Sequence, residues 1–415
     1  MTSETAAARV VTLESVAAER RSAPREVSLP EYERERFEEV AFMTAMGLVL
    51  LGNYSQTGHF GGPLAYTPYN VAIHLGGPVM GGLRYDLRRP KHPFADRFML
   101  TGGHSIPTCY SLWMVLYEAM QRRYETTGDE RFRCDPEVGM YGIDALGFRR
   151  GPAAVKRLLP DNGLVDDPLF AQAKVRGIRA LMGHAESTDV TNDVNGGPSG
   201  IGLSTTAGKA LFWDFLGADP KLKVIAFEGE FALTSGHSQE LKTAALAQQV
   251  GKRLRILMSM NNAGIDDSLL GGVIKDSYTG YDIANQWASY GWNVFSIGDG
   301  ADFDEIFGAL KTMEEWPQGD RRPMVLVGPT TKGWWPTARD GELPGYGEQL
   351  QSYPSHPYAL KMNSEYFVAL AASFEERFGV EFADIRDGVP GSEVERLRQF
   401  KTNIDVWLSA LDKGG

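Results

Sequence analysis

The chain has 415 residues and a formal net charge of −11, which argues against general binding to nucleic acid or to an anionic membrane, because both need a positive face. Its hydrophobic fraction of 43% suits a globular protein with a substantial core, enough for one large domain or two ordinary ones. Only two cysteines occur, Cys109 and Cys134, so no disulfide framework is expected and a reducing cytoplasm is the expected compartment. Early acids, Glu4 and Glu14, stand where a secretory signal needs an apolar segment. No apolar stretch is long enough to span a bilayer.

Residues 1–30 are polar, rich in Arg and Glu, and end at Pro30, which reads as an N-terminal extension: a mobile arm or docking segment. A helix is predicted from near Glu31 through Phe42, Met46 and Val49. Gly58–Gly62 interrupts it, and Pro63, a favoured first-turn residue, opens a second helix over 63–75. Arg97–Leu100 is a short apolar run, followed by Thr101-Gly102-Gly103-His104 and a helix at 106–121: strand, glycine turn, helix. Residues 125–195 have no clear period. Helical texture returns at 203–216, after a glycine-rich stretch at 196–202.

The next segment alternates regularly. Strands are predicted at 223–227, 254–260, 292–297 and 324–327, with helices at 238–250, 280–290 and 303–315. Leu241, Ala244, Ala245 and Ala247 carry the first of these helices. Such alternation implies an α/β fold, a parallel sheet flanked by helices on both faces, with ligands beyond the carboxyl ends of the strands. A long Gly/Pro/Trp loop at 329–357 is a candidate functional segment. The domain is expected to run over 31–360, with a C-terminal helical tail over 361–415.

Glu228 directly follows one predicted strand, and Asn261 and Asn262 directly follow the next. The helix between them returns the chain across one sheet face, so both polar groups emerge at the same edge. A carboxylate, an amide oxygen, a backbone carbonyl and phosphate oxygens would suit Mg²⁺, a hard cation that prefers octahedral oxygen ligation. Taken alone, Glu228 reads equally well as a helix cap and the asparagines as a turn. The glycines at 196–202 would let backbone amides approach a phosphate at a helix start, although glycine turns are common. Four of the seven histidines, His59, His104, His184 and His356, lie in Gly-flanked or loop motifs; imidazoles there could donate to phosphate or hydroxyl groups and move protons near neutral pH. His74, His92 and His237 read as structural or surface residues.

In order along the chain these motifs resemble the transketolase family, across about residues 40–360. Thr57-Gly58-His59-Phe60-Gly61-Gly62 is similar to Ser-Gly-His-Pro-Gly. Asp96-Arg97-Phe98-Met99-Leu100-Thr101-Gly102-Gly103-His104 is similar to Asp-Arg-Phe-Val-Leu-Ser-x-Gly-His. Gly183-His184-Ala185-Glu186 resembles Gly-His-Pro-Glu, and Gly197-Pro198-Ser199-Gly200-Ile201-Gly202 resembles Gly-Pro-Leu-Gly-Gln-Gly. Tyr290-Gly291-Trp292 matches a Tyr-Gly-Trp signature. Thr330-Thr331-Lys332-Gly333 with the later His356 resembles Thr-Thr-Ile-Gly-x-Gly followed by His-Gly. Phe227-Glu228-Gly229 stands where the family has Gly-Asp-Gly, and the link from acid to amide is a few residues longer around Leu233–Gly236. The extra methylene of Glu means that the backbone must retreat or the ion must move.

The resemblance implies thiamine diphosphate and Mg²⁺ (or Ca²⁺ or Mn²⁺) as cofactors. It implies His59, His104, His184 and His356 as catalytic or channel residues. It implies His59, His104, Gly196, Gly197, Pro198, Gly229, Glu230, Asn262 and His356 as cofactor contacts. The metal set would come from Glu228, Asn261, Asn262, Ala263 and Gly264; the Asn-Asn pattern favours Asn262, while Asn261 keeps the family's spacing to Ile265-Asp266. In this family a further pyrimidine-binding domain supplies a Glu to the aminopyrimidine ring. Only roughly 60 residues follow His356, too few for such a domain of ordinary size. The expectation is therefore a split enzyme: a diphosphate-binding subunit, in a two-plus-two assembly with a second subunit carrying the pyrimidine-binding and C-terminal domains. The expected reaction moves a two-carbon ketol unit from a ketose to an aldose, with sugar or sugar-phosphate substrates. Alternatives are the decarboxylating component of a 2-oxo acid dehydrogenase, a ketol or acyloin synthase of secondary metabolism, and a non-catalytic paralogue.

Overall fold

The computed structural model describes residues 5–11, 24–149, 159–198, 200–244, 249–261, 263, 282–338, 342–351 and 356–413. Strands β1 (Thr5–Val11), β2 (Pro24–Ser28), β3 (Arg97–Leu100), β4 (Val224–Gly229), β5 (Leu254–Met260), β6 (Asn293–Ser296) and β7 (Met324–Pro329) form one sheet. Their order is β2-β1-β6-β7-β5-β4-β3. The five strands from β6 to β3 are parallel, as the βα alternation requires. The extension expected to be a mobile arm instead supplies β1 and β2, with β1 pairing antiparallel to both β2 and β6. Pairing occupies backbone groups of β6 that a sheet edge would otherwise expose.

The helices are α1 (Arg34–Ser55), α2 (Gly61–Leu75), α3 (Ile106–Thr127), α4 (Ile201–Phe215), α5 (Gly236–Thr243), α6 (Ile283–Ser289), α7 (Phe303–Glu314), α8 (Glu365–Phe378) and α9 (Glu393–Ser409). Strand residues alternate between two cores, as the period-two geometry of a strand dictates. Ile225, Phe227, Leu257, Phe295 and Leu326 face the core shared with α1, α2, α3, α7, α8 and α9. Val224, Ala226, Ile256, Met258 and Val325 face the core shared with α4, α5 and α6. The sheet is thus covered on both faces. The predicted tail consists of α8 and α9, and it belongs to the first core: Trp407 is fully buried and its Nε1–H donates to Met43 O at 2.8 Å.

One predicted helix is shorter than its apolar pattern. α5 begins where Ser235 Oγ accepts from the Ser238 amide and ends at Thr243, with Ala244 in extended backbone. Trp292 Nε1–H donates to Lys242 O at 3.2 Å, so a tertiary contact takes a carbonyl of the final turn. Ala245 and Ala247 lie outside the described residues. At the amino ends of the parallel strands, Lys223 bridges Asp96 and Glu314, both at 3.3 Å, and Arg255 reaches Glu314 at 2.9 Å. This buried ion cluster ties β3, β4 and β5 to α7 and leaves the opposite, carboxyl edge for other groups. No helix among the described residues is long and apolar enough to cross a membrane.

His74, buried on α2, is held between Asn70 O at 2.9 Å and Thr191 Oγ1 at 2.8 Å. Burial pushes its pKa down to about 4, against the opposing pull of the Asn70 carbonyl. The unfolded chain takes up this proton near pH 6.5 and the folded one only near 4, so stability falls as pH drops through that window. The full effect is on the order of 3 kcal/mol. Urea midpoints between pH 6.5 and 4 should therefore fall less steeply in His74→Gln than in wild type; equal slopes would show that His74 is not the linked group.

Candidate functional site

The carboxyl edge assembles four distant segments. β4 and β5 pair in parallel with Glu228 opposite Met258 and Gly229 opposite Ser259. Glu228 therefore emerges from the last turn of the pleat of β4, and Asn261 follows β5 directly. Glu228 is 2% exposed. Its Oε1 accepts from the Gly229 amide at 3.0 Å, whereas Oε2 is buried with no hydrogen-bond partner among the described residues. Burial pushes this carboxyl up to about 7, against the lowering effect of the Gly229 amide and the Thr101 hydroxyl. Asn261 Oδ1 accepts from the Ala263 amide at 3.1 Å, an Asx-type turn that leaves the oxygen a second lone pair. Asn262 and Gly264 lie outside the described residues.

Backbone bonds join the glycine and histidine motifs. The Ala185 amide donates to Gly103 O at 2.9 Å, and the Gly196 amide donates to Ala185 O at 2.8 Å. Gly103 and Gly196 touch so closely that a Cβ on Gly103 would lie 2.5 Å from Gly196 O. This contact brings the segment after β3 against the loop that leads into α4. His59 and Pro357 form an isolated bridge, and the Tyr358 amide donates to Gly58 O at 2.9 Å, so the late loop returns to the first motif.

These connections bring the four histidines together. Ring centroids lie 4.8 Å apart for His59 and His356, 5.4 Å for His59 and His104, and 6.2 Å for His59 and His184. His59 Nδ1 lies 3.3 Å from His356 O. Burial lowers all four basicities, to about 3 for His104 and about 4 for His356. His104 and His356 are therefore neutral at pH 7. They differ here from groups poised to titrate near neutrality: each is a neutral imidazole with one ring N–H donor and one ring nitrogen acceptor. His184 is the exposed member of the set.

A cavity of about 270 Å³ is lined by all four histidines together with Glu228, Gly229, Glu230, Asn261, Ala263 and Gly197. Gly196 and Pro198 do not line it; Gly196 supports Gly103 and Pro198 is exposed. The wall also contains Tyr66, Phe231 and Lys332, which the motif reading did not single out. Tyr66 sits on the buried face of α2, and its hydroxyl is pushed up by burial and by Glu228 and Glu230. Nothing in the sequence separates it from core aromatics. Lys332 did carry a signal, because it stands where the resembled motif has Ile. Its charge lowers the basicity of His59, His104 and His356. The cavity thus groups two buried carboxylates with Tyr66, and a lysine with the histidines.

Residues 173–352 match the family model described as transketolase, thiamine diphosphate binding domain. This stretch of the chain thus resembles the thiamine diphosphate-binding domain of the transketolase family. A probable transketolase of Streptococcus pneumoniae is 28% identical over 179 residues, 41% of this chain and 25% of that protein. The transketolase of Leishmania mexicana superposes with a TM-score of 0.57 at 18% identity, covering 91% of this chain and 45% of its own. A Pichia stipitis transketolase in complex with sedoheptulose-7-phosphate gives 0.55 at 21% identity, covering 90% and 46%. The chain therefore spans less than half the length of these transketolases. The likeness to the solved structures bears on the fold, which is the thiamine diphosphate-binding fold.

The Gly103–Gly196 contact is the seam between the two loops. Gly103→Ala should force the two loops apart and lower stability by about 1–3 kcal/mol, the usual cost of overpacking. A thermal midpoint equal to wild type would show that the seam yields freely.

Proposed function

We propose that this chain is the diphosphate-binding half of a thiamine diphosphate-dependent transketolase-like enzyme, acting on sugar-type carbonyl substrates with a second polypeptide. The observation that carries the reading is Oε2 of Glu228, without a hydrogen-bond partner among the described residues and buried at the carboxyl edge, on the cavity that Asn261 and Gly197 also line. A buried carboxylate oxygen without a donor is costly unless a cation or a proton meets it. Among the described residues no group of three or more His, Cys, Asp or Glu side chains is arranged to hold a metal. One carboxylate and one amide suit a hard cation that takes its remaining ligands from phosphate oxygens and water. The residues present thus fit a divalent cation shared with a diphosphate.

In this reading Glu228 and Asn261 hold the cation, with a backbone carbonyl near Ala263. Gly197 and the amides opening α4 approach the phosphates. When bound, the cofactor supplies a carbanion that attacks a carbonyl and a ring that then accepts electrons; the protein supplies orientation and electrostatics. The neutral imidazoles of His104 and His356 hydrogen-bond to substrate hydroxyls without adding charge. His59 is oriented by His356 O. Sugar phosphates are supported as a substrate class by the ligand of the Pichia stipitis neighbour.

The second polypeptide would supply the pyrimidine-ring pocket. α4 gives it a surface: Ile201, Phe212, Phe215 and Leu216 are all exposed, Phe215 by 88%. Phe212, Phe215 and Leu216 cluster at the end of the helix, and contiguous exposed apolar groups are a mark of an interaction face. The helix begins at Gly200, next to the cavity wall, so a chain covering this face would also border the cofactor.

Glu228→Gln, which keeps the volume and removes the charge, should weaken Mg²⁺-dependent retention of thiamine diphosphate on the order of 10²-fold, the scale for losing one buried charge partner. Unchanged affinity by calorimetry would remove Glu228 from the cation shell. Ketol transfer should appear only when the chain is mixed with the polypeptide encoded beside it. Active homodimers of this chain alone would refute the split arrangement.

A further inference from the structure

The connection between α8 and α9 is anchored at several points. Asn403 on α9 accepts from the Ala383 amide at 2.7 Å and donates to Ala383 O at 3.1 Å. Asn363 Nδ2 donates to Gly388 O at 2.8 Å, and Arg396 Nε donates to Pro390 O at 3.0 Å. Asp384, between these anchors, has φ +56°, a left-handed conformation that few residues besides Gly, Asn and Asp adopt. The segment so held walls a cleft of about 480 Å³, which shares no lining residue with the histidine cavity. That volume lies within the range of about 300–1,000 Å³ usual for ligand sites.

A buried side chain indicates what the cleft takes. Gln399, 8% exposed, is part of its wall. Hydrogen bonds behind it fix which end of its amide is free. The Asn363 backbone amide donates to Asn53 Oδ1 at 2.9 Å, so Asn53 Nδ2 is the donor to Asn363 Oδ1 at 3.0 Å. Asn363 Nδ2 is then the donor to Gln399 Oε1 at 3.0 Å. Gln399 Nε2 is left as a donor with no hydrogen-bond partner among the described residues, on the wall of the cleft. Two acids of the same wall also lack partners. Arg398, the one Lys or Arg among the described lining residues, pairs with Asp167 at 2.6 Å. On α8 and α9 Glu375 pairs with Arg386 and Asp405 with Lys401. Asp384 and Asp387 are exposed on the cleft, and neither carboxylate has an ion pair or hydrogen bond among the described residues. Val389, 53% exposed, and Pro390 add apolar surface. A bare metal ion does not suit this wall, because the buried amide presents an N–H where a cation needs oxygen. A ligand that carries both a cationic head and a carbonyl oxygen does suit it.

We propose that this cleft docks an extended basic segment of a partner polypeptide. A Lys or Arg head meets Asp384 and Asp387, its methylenes lie along Val389 and Pro390, and a main-chain carbonyl accepts from Gln399 Nε2. The net charge of −11 on the chain favours the approach of such a segment. The site does not rest on the thiamine diphosphate reading.

Calorimetry on the full chain tests this with three probes: the capped peptide acetyl-Gly-Ala-Arg-Ala-Gly-amide, the same peptide with Gln in place of Arg, and methylguanidine, a cation without a carbonyl. The Arg peptide should bind one to one with a Kd below about 1 mM, and both controls about tenfold more weakly or not at all. Asp384→Asn combined with Asp387→Asn should weaken the Arg peptide about tenfold or more, since it removes the charge and keeps a side chain that tolerates the left-handed backbone. Gln399→Glu keeps the acceptor for Asn363 and removes the free donor, so it should weaken the peptide although it adds negative charge. Equal binding of the neutral peptide, undiminished binding in the double variant or tighter binding in Gln399→Glu would overturn the proposal. So would methylguanidine binding as tightly as the Arg peptide, which would mark a site for small cations. If a variant does not fold, the comparison of the three probes on wild type still decides.

Discussion

Parallel pairing of β4 with β5 is the constraint on which the site depends. It delivers Glu228 and Asn261 to one edge, and the surrounding helices bury the acid there. Nothing in the packing compensates that carboxylate fully. Its pKa of about 7 records an environment that resists the charged form. The ion cluster of Lys223, Asp96, Arg255 and Glu314 at the opposite edge shows the contrast. There every acid has a cation, and the group serves to tie strands to α7. Among the described residues Glu228 has its own neighbouring amide and Thr101. A strained acid in a cavity is a better functional marker than a paired one in a core.

The remaining motifs reach this edge through backbone contacts more than through side-chain contacts. Gly103, Ala185 and Gly196 exchange amide hydrogen bonds, and the His59–Pro357 bridge returns the late loop to the first. Backbone stitching of this kind fixes loop positions without consuming the imidazoles. His104 and His356 remain available to a ligand, and burial keeps them neutral. The cost is that small residues are required where the loops touch.

Much of this arrangement was legible in the sequence. β5 falls over the predicted residues, and the predicted core strands and helices flank it in order, because apolar periodicity is strong in a buried parallel sheet. The four histidines and Glu228 were visible as motif residues, since Gly flanks and strand ends mark places where backbone approaches a ligand. β1 and β2 were not visible: the Arg and Glu of residues 1–30 masked the short Ala/Val run of β1, which finds its partners in β2 and in the edge of β6. The early end of α5 was hidden because its pattern continues through Ala245 and Ala247, while the competing contact comes from Trp292. Tyr66 was hidden for a different reason. A cavity-facing aromatic on a buried helix has the same pattern as its core neighbours.

The substitution of Glu for the family's Asp looks different once its hydrogen bonds are considered. A longer side chain would seem to require that the backbone retreat or the ion move. Glu228 keeps its place in the ladder between β4 and β5, opposite Met258. Instead the side chain turns back, and Oε1 binds the amide of Gly229. Oε2 stays buried, with no hydrogen-bond partner among the described residues. The acid thereby becomes a one-oxygen group oriented by its own backbone. Gly102 leaves room for it: a Cβ there would lie 3.1 Å from Oε1. The altered motif is thus accommodated beside a glycine, within a regular strand ladder and with one oxygen held by the next backbone amide.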